Sequence, residues 1–287
     1  MADYGKIAFI GAGNMAEAMI GAILRAGLRQ PGDIVISDAS TERLEQVAGS
    51  YGVTAASSNS EAAEACGVVI LAVKPQMIES VLSKLADAGS FKTPAHRRIF
   101  ISVAAGILLS TLENFIYSGA SAEQKALMPI IRVMPNTPAL VGAGMSGMCA
   151  NDQAEESDLN EAESLLSSMG DVVVFDEDKM DAVTAVSGSG PAYGFYLLEA
   201  MTEAGEKLGL ARPDALRLAL GAVSGAVRLV EESGQDPQAL RSKVTSPGGT
   251  TQAALSVLES HQVKDRIVDA VLAAARRSQQ LSRPGNA

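Results

Sequence analysis

The chain has no tryptophan, two cysteines and two histidines, and aromatic residues make up 4% of its 287 positions. Cys66 and Cys149 are too few for a disulfide framework and are not spaced as metal ligands, which fits a reducing compartment. Neither histidine marks a catalytic centre: His96 falls in the basic stretch Thr93-Pro94-Ala95-His96-Arg97-Arg98, which reads as a solvated connection, and His261 carries no motif. No apolar window reaches membrane-spanning length without polar interruption. The run Ile7 to Ile10 after Lys6 is broken by Asn14 and Glu17 with no cleavage pattern behind it, so it does not read as a signal peptide. Basic residues number 23 against 33 acidic ones, and the net charge of −10 excludes nonspecific attraction to nucleic acid or an anionic membrane. A soluble, cytoplasmic protein is expected.

What is present is hydrophobic and finely divided. With 47% hydrophobic residues, 287 positions suffice for a real core and for two domains. Lys6 to Ile10, Asp33 to Ser37, Val68 to Val73, Arg98 to Val103, Ile130 to Met134, Met145 to Ala150 and Val172 to Phe175 read as strands. Helical patterns at Met15 to Ala26, Thr41 to Tyr51, Pro75 to Ala86 and Asn160 to Met169 alternate with them, which implies a parallel sheet with right-handed crossovers. After Phe175 the chain turns alanine- and leucine-rich, with helices predicted at Ala192 to Leu208, Pro213 to Glu232, Gln238 to Val244, Thr251 to Ser260 and Val263 to Leu281. The fold class is therefore α/β: a Rossmann-type dinucleotide-binding domain over residues 1–178, an all-α dimerisation domain over 179–281 and a tail over 282–287.

Dimerisation follows from the helix beginning near Asp214. Its polar residues Arg217, Ser224, Arg228 and Glu231 form one narrow stripe, while Leu216, Ala219, Leu220, Val223, Ala226, Val227 and Val230 cover the rest. A helix apolar over so much of its circumference is buried on more than one side, and a domain of this size has few ways to do that alone.

Three glycine loops carry the chemistry. Gly11-Ala12-Gly13-Asn14-Met15-Ala16 follows a strand and opens a helix, as a dinucleotide fingerprint requires: Gly11 for the tight turn, Gly13 for approach of the pyrophosphate, small Ala16 for helix packing. Val244-Thr245-Ser246-Pro247-Gly248-Gly249-Thr250-Thr251 puts a glycine turn and hydroxyls before an apolar helix, the build of a carboxylate site made from helix N-terminal amides. Ser187-Gly188-Ser189-Gly190-Pro191 is a second loop of that kind.

At the strand ends, Asp38 either accepts from the ribose hydroxyls, favouring NAD, or it or Ser40 caps the next helix. Ser37, Ser40, Thr41 and Arg43 are the groups that would surround a 2′-phosphate were Asp38 turned away. Lys74, in Ala72-Val73-Lys74-Pro75, meets a phosphate or ribose or is a solvated strand end. Asn136, in Met134-Pro135-Asn136-Thr137-Pro138, has an amide suited to orienting a bound ring or sits in a purely structural turn. Measured from Gly188 and Gly190, the catalytic Lys and Asn positions of β-hydroxyacid dehydrogenases hold Gly194 and Leu198, and neither transfers a proton. Such a site suits a substrate that brings its own proton, as a protonated cyclic imine does. A dinucleotide sensor without turnover is the rival reading, disfavoured by the two further glycine loops.

Together, Gly11 to Ala16, Ala72 to Pro75, Met134 to Pro138, Val186-Ser187-Gly188-Ser189-Gly190-Pro191-Ala192-Tyr193 and Ser246 to Thr251 resemble pyrroline-5-carboxylate reductases, a likeness running from about Lys6 to Leu281. The resemblance implies reduction of 1-pyrroline-5-carboxylate to proline with NADPH, or alternatively NADH, in the final step of proline biosynthesis. It also implies a homodimer with interleaved helical domains, sometimes assembled into a homodecamer, whose active sites are shared between a cofactor domain and the partner's helices. By position, Ile10, Gly11, Ala12, Gly13, Asn14, Met15, Asp38, Asn59, Ala72, Val73, Lys74, Pro75, Val103, Ala104 and Ala105 are implied around the cofactor, with Ser37 and Asn136 beside them. Glu177, Lys243, Thr250 and Thr251 are implied around the substrate, joined by Ser187, Gly248 and Gly249 from the glycine loops. The amides of Gly248, Gly249 and Thr250 are expected to hold the carboxylate, and Thr251 to hydrogen-bond the ring nitrogen as the catalytic hydroxyl. Asp38 stands where family members often carry a hydroxyl residue, which weakens the usual NADPH preference, and the Lys243 position varies within the family. No metal is expected.

Overall fold

A computed structural model describes residues 4–91 and 96–282, and its first half alternates strands and helices as the apolar runs predict. β1 (Ile7–Ile10) leads into α1 (Asn14–Arg25), β2 (Ile34–Ser37) into α2 (Thr41–Tyr51), β3 (Thr54–Ala55) into α3 (Asn59–Glu64) and β4 (Val68–Leu71) into α4 (Ile78–Asp87). β5 (Ile99–Ser102) is followed by α5 (Leu109–Ile116) and α6 (Ala122–Ala126). Next come β6 (Ile130–Met134), β7 (Gly144–Ala150), α7 (Glu156–Ser167), β8 (Gly170–Val174), α8 (Met180–Val183) and a π-helical turn at Thr184–Gly188. The remainder is helical: α9 (Gly190–Lys207), α10 (Arg212–Ser233), α11 (Pro237–Lys243), α12 (Thr250–Ser260) and α13 (Val263–Leu281). The connection expected at Thr93 to Ala95, and the tail from Arg283 onward, lie outside the described residues.

The sheet has the order β3-β2-β1-β4-β5-β6-β7-β8, parallel throughout except between β6 and β7. Every residue of β1, β2, β4 and β5 is buried, which is why those runs read as continuously apolar instead of alternating. One core forms under α1, α2 and α7, and a second on the opposite face under α3, α4 and α5. β1 lies between β2 and β4, so the chain reverses its direction of travel there, and such a switch point opens a crevice at the carboxyl ends of the strands.

Several short elements escaped the sequence pattern because they carry no periodicity. β3 is two exposed residues hydrogen-bonded to β2, and α3 and α6 are single turns fixed by their caps: Ser58 accepts from the Glu61 amide, and Ser121 and Gln124 form a reciprocal capping box. α7 starts four residues before its expected first residue because Glu155 and Asp158 cap each other's backbone. The expected strand at Val172 begins at Gly170 (φ +142°), where any side chain would run into the Gly144 backbone.

Packing divides the chain into two compact units, Met1–Gly188 with Ala274–Ala287, and Ser189–Ala273. α8 and the π-helical turn pack with the first unit: Met180 and Ala185 are buried, and Val183 lies against Gly147. Within the second unit α9 and α10 approach closely where Gly205 meets Ala215, yet among its described residues only Thr202, Gly205, Ala215 and Ala219 are buried. Tyr196 is 76% exposed and Leu218 63% exposed, so this unit leaves its apolar side chains without a core of their own.

A buried charge ties the first unit together. Asp158 on α7 is fully buried and accepts from the Tyr4 hydroxyl at 2.8 Å, the Glu155 amide at 2.7 Å and Arg97 Nε at 2.9 Å, with Arg97 Nη2 on its other oxygen. Burial alone would raise its pKa, but the Arg97 guanidinium, the Glu155 amide and Tyr4 outweigh burial and hold it below the usual carboxylate range. A depressed folded pKa contributes stability that is complete above the unfolded value of about 3.9 and is lost as pH falls through the folded value. Arg97→Ala is expected to lower unfolding free energy by about 3 kcal/mol at pH 7, with the deficit shrinking below about pH 4. Denaturant titration at both pH values checks this; a variant as stable as the parent at pH 7 contradicts it.

Candidate active site

The glycine turn after β1 is fixed from both sides. Gly11 adopts φ +101°, its amide donates to Ser37 O at 2.8 Å, and a Cβ there would sit 2.8 Å from Ala72 O. Only glycine fits between the ends of β1, β2 and β4. Gly13 is the N-cap of α1 and offers no side chain to its amides, while the space a Cβ would occupy is open. The Glu17 amide closes the first turn on Gly13 O, which leaves the amides of Asn14, Met15 and Ala16 at an uncapped, positive helix end. This cradle fits a dinucleotide pyrophosphate.

The other cofactor candidates gather at the same carboxyl edge. Ile10 ends β1; Ala72, Val73, Lys74 and Pro75 follow β4, with the Ala72 amide on Ile10 O at 2.9 Å; Val103, Ala104 and Ala105 follow β5, with the Val103 amide on Leu71 O at 3.2 Å. Lys74 is exposed. Ser37 is buried and donates to Asn59 Oδ1, which joins the end of β2 to the start of α3. Asp38 accepts from the Ala12 amide at 2.7 Å and from the Ser40 amide at 2.8 Å, while Ser40 caps α2. Ser40 is thus the cap of α2, and the Asp38 carboxylate is fixed on the glycine turn.

Asn136 makes the contacts of a structural turn, the second of its two readings. Its Oδ1 accepts from the Met145 amide at 2.9 Å and its Nδ2 donates to Ser187 O and Oγ, each at 3.3 Å, so both ends of the amide brace the loop after β6 against the π-helical turn. The Ser187 hydroxyl, expected at the substrate, is held in the same brace and donates to Met145 O at 3.4 Å. Glu177 is likewise committed: its Oε1 accepts from the Leu109 amide at 2.7 Å and from buried Arg132 at 3.0 Å, an arrangement that ties β6 to the start of α5. Arg132 went unnoticed in the sequence although a lone charge inside the strand run Ile130–Met134 signals a buried partner.

In the second unit, the loop before α12 corrects the expected donor set. Gly248 (φ +70°) gives its amide to Gln252 Oε1 at 2.6 Å, and Gly249 gives its amide to Ser246 O at 3.0 Å. A side chain at Gly249 would sit 2.5 Å from Ser246 Oγ. The amides of Gly248 and Gly249 are therefore spent on shaping the turn. Gly249 is the N-cap, with no side chain to close the helix, and the first turn closes from Ala253 to Gly249 O. Among the described residues the open donors are the amides of Thr250, Thr251 and Gln252, two residues further along than expected. Thr245, Ser256 and Ser260 bond the carbonyl of a preceding residue, whereas the hydroxyls of Thr250 and Thr251 have no partner among the described residues. Lys243 ends α11 and donates to Gln235, which precedes that helix.

Burial pushes the Cys66 thiol up to about 11 and the Cys149 thiol up to about 12, so both stay protonated near neutral pH. Among the described residues no three His, Cys, Asp or Glu side chains cluster as metal ligands. Gly11→Ala is expected to abolish dinucleotide binding, measured by quenching of nicotinamide fluorescence, because φ +101° and contact with Ala72 both reject a Cβ; unchanged binding contradicts the role given to this turn.

Comparison with known proteins agrees with this geometry. Residues 177–281 match the family model for pyrroline-5-carboxylate reductase dimerisation, and residues 6–106 match that for NADP oxidoreductase, coenzyme F420-dependent. The pyrroline-5-carboxylate reductase of Pseudomonas aeruginosa is 41% identical over 278 residues, 96% of this chain and 97% of that protein. The one from Arabidopsis thaliana is 39% identical over 96% of this chain and 95% of that protein. Among solved structures, a pyrroline-5-carboxylate reductase from Coxiella burnetii superposes with a TM-score of 0.86 at 37% identity, covering 98% of this chain and 99% of that one. The Plasmodium falciparum pyrroline carboxylate reductase with NADP bound gives a TM-score of 0.85 at 30% identity, covering 99% of this chain and 100% of that one. An uncapped dinucleotide cradle, a hydroxyl-rich helix start and full-length similarity to these enzymes place the chain in the pyrroline-5-carboxylate reductase family.

Proposed function

We propose that this protein reduces 1-pyrroline-5-carboxylate to L-proline by hydride transfer from NAD(P)H, the final step of proline biosynthesis, and that it works in the cytoplasm as a homodimer joined through its helical unit. The observation that carries the reading is the start of α12, where three backbone amides and the hydroxyls of Thr250 and Thr251 have no partner among the described residues. That set matches a substrate with a carboxylate to be held and an imine already protonated.

In the reaction, the cofactor supplies a hydride, held at the cradle formed by Gly11, Gly13 and the first amides of α1. The amides of Thr250, Thr251 and Gln252 hold the carboxylate, each contributing a charge-assisted hydrogen bond. The Thr251 hydroxyl bonds the ring nitrogen and fixes which face of the imine is presented. As hydride adds to the imine carbon, the C=N electron pair moves to nitrogen, which keeps its proton and becomes the secondary amine of proline. No side chain has to donate a proton at the reacting carbon, unlike the reduction of a carbonyl.

Purified protein is expected to oxidise NADH or NADPH only when 1-pyrroline-5-carboxylate is present. Thr251→Val should lower kcat by about 10²–10³, the usual cost of one positioned hydrogen-bond partner, while Thr251→Ser restores most of it. Wild-type turnover by the valine variant would remove Thr251 from the mechanism. The bare apolar surface of the helical unit supports the dimer, and sedimentation at micromolar concentration should give a species of at least two chains. A monomer under those conditions contradicts it.

A further inference from the structure

The end of β2 determines which nicotinamide dinucleotide fits best, and here this chain's side chains are committed in a particular way. Asp38 is fixed by two backbone amides, Ala12 at 2.7 Å and Ser40 at 2.8 Å, so its carboxylate stays at the carboxyl edge of β2 beside the glycine turn. A carboxylate at this place accepts the 2′-hydroxyl of an adenosine ribose, whereas a 2′-phosphate requires a cation.

The cation on hand is already engaged. Arg43 donates from Nε to Ala12 O at 2.7 Å and from Nη1 to Gln46 Oε1 at 3.0 Å, and Nη2 pairs with Glu17. All three nitrogens thus have partners and the charge is neutralised by Glu17 on α1. Of the remaining groups a 2′-phosphate would need, Ser37 donates to Asn59 and Ser40 accepts from the Arg43 amide at 3.3 Å as the cap of α2. Thr41 alone is uncommitted, and Glu42 adds a negative charge to the first turn of that helix. A phosphate dianion in this corner would face Asp38 and Glu42, with Arg43 already paired to Glu17.

We propose that the Asp38 carboxylate, together with the Glu17 clamp on Arg43, makes this protein select NADH over NADPH. The inference rests on the reductase reading and specifies its cofactor end. Asp38 plays a double part: it shapes the glycine turn through the Ala12 amide and discriminates at the ribose. Glu17 acts at one remove, as a positioning residue that withholds Arg43.

The test is equilibrium binding without turnover, read from nicotinamide fluorescence as NADH or NADPH is titrated into the purified protein. The parent should bind NADH at least about tenfold more tightly than NADPH. Asp38→Asn keeps an acceptor for the Ala12 amide while removing the charge, and should narrow that ratio chiefly by tightening NADPH. Glu17→Gln frees Arg43 and should tighten NADPH with little change for NADH, a result independent of any effect of Asp38 on folding. Equal or tighter binding of NADPH by the parent overturns the proposal, as does an unchanged ratio in both variants. If the parent binds neither dinucleotide, the dinucleotide reading itself fails, an outcome distinct from loss of discrimination.

Discussion

The structure turns on backbone amides left open at the starts of two helices. A protein carrying a net charge of −10 and proposed to bind a dinucleotide and a carboxylate cannot rely on a broad positive field. Glycine resolves the conflict. α1 begins at Gly13 and α12 at Gly249, and in each case no side chain closes the first turn. By contrast, α2, α3 and α6 begin at Ser40, Ser58 and Ser121, whose oxygens take up an amide within the chain. The same element, capped by serine, is structural; capped by glycine, it can receive an anion.

That economy extends to the side chains around the sites. Groups that looked chemically available in the sequence are mostly engaged in fixing loops: Asn136 and Ser187 brace the turn after β6, Glu177 holds Arg132 and the start of α5, and Gly248 and Gly249 shape their own loop. What remains uncommitted is a short list of amides and hydroxyls. This fits a reaction in which the substrate arrives electrophilic, so that placement rather than proton transfer carries the rate.

Much of this was legible in the chain. Continuous aliphatic runs such as Val68–Leu71 announced buried parallel strands, and Gly11-Ala12-Gly13 between a strand and a helix announced the cradle. The start of α12 was legible as an anion site, but not which amides were open, because that depends on Gln252 reaching back to Gly248. A glutamine three residues after a cap is a signal of that kind. Long-range pairs such as Arg132 with Glu177 and Arg43 with Glu17 have no local signature: each joins positions far apart in sequence through the order of the strands. Two-residue β3 and the single-turn helices were invisible for a different reason, since periodicity needs length.

The most direct measurement of the central claim compares kcat/KM for 1-pyrroline-5-carboxylate with that for 1-pyrroline, which has the same imine and no carboxylate, at saturating NADH. If the open amides of α12 hold the substrate through its carboxylate, the ratio should be at least about a hundredfold in favour of the carboxylate, the worth of one or two charge-assisted hydrogen bonds. Comparable values for the two imines would contradict the account, because they would mean that the helix start contributes nothing to placing the substrate.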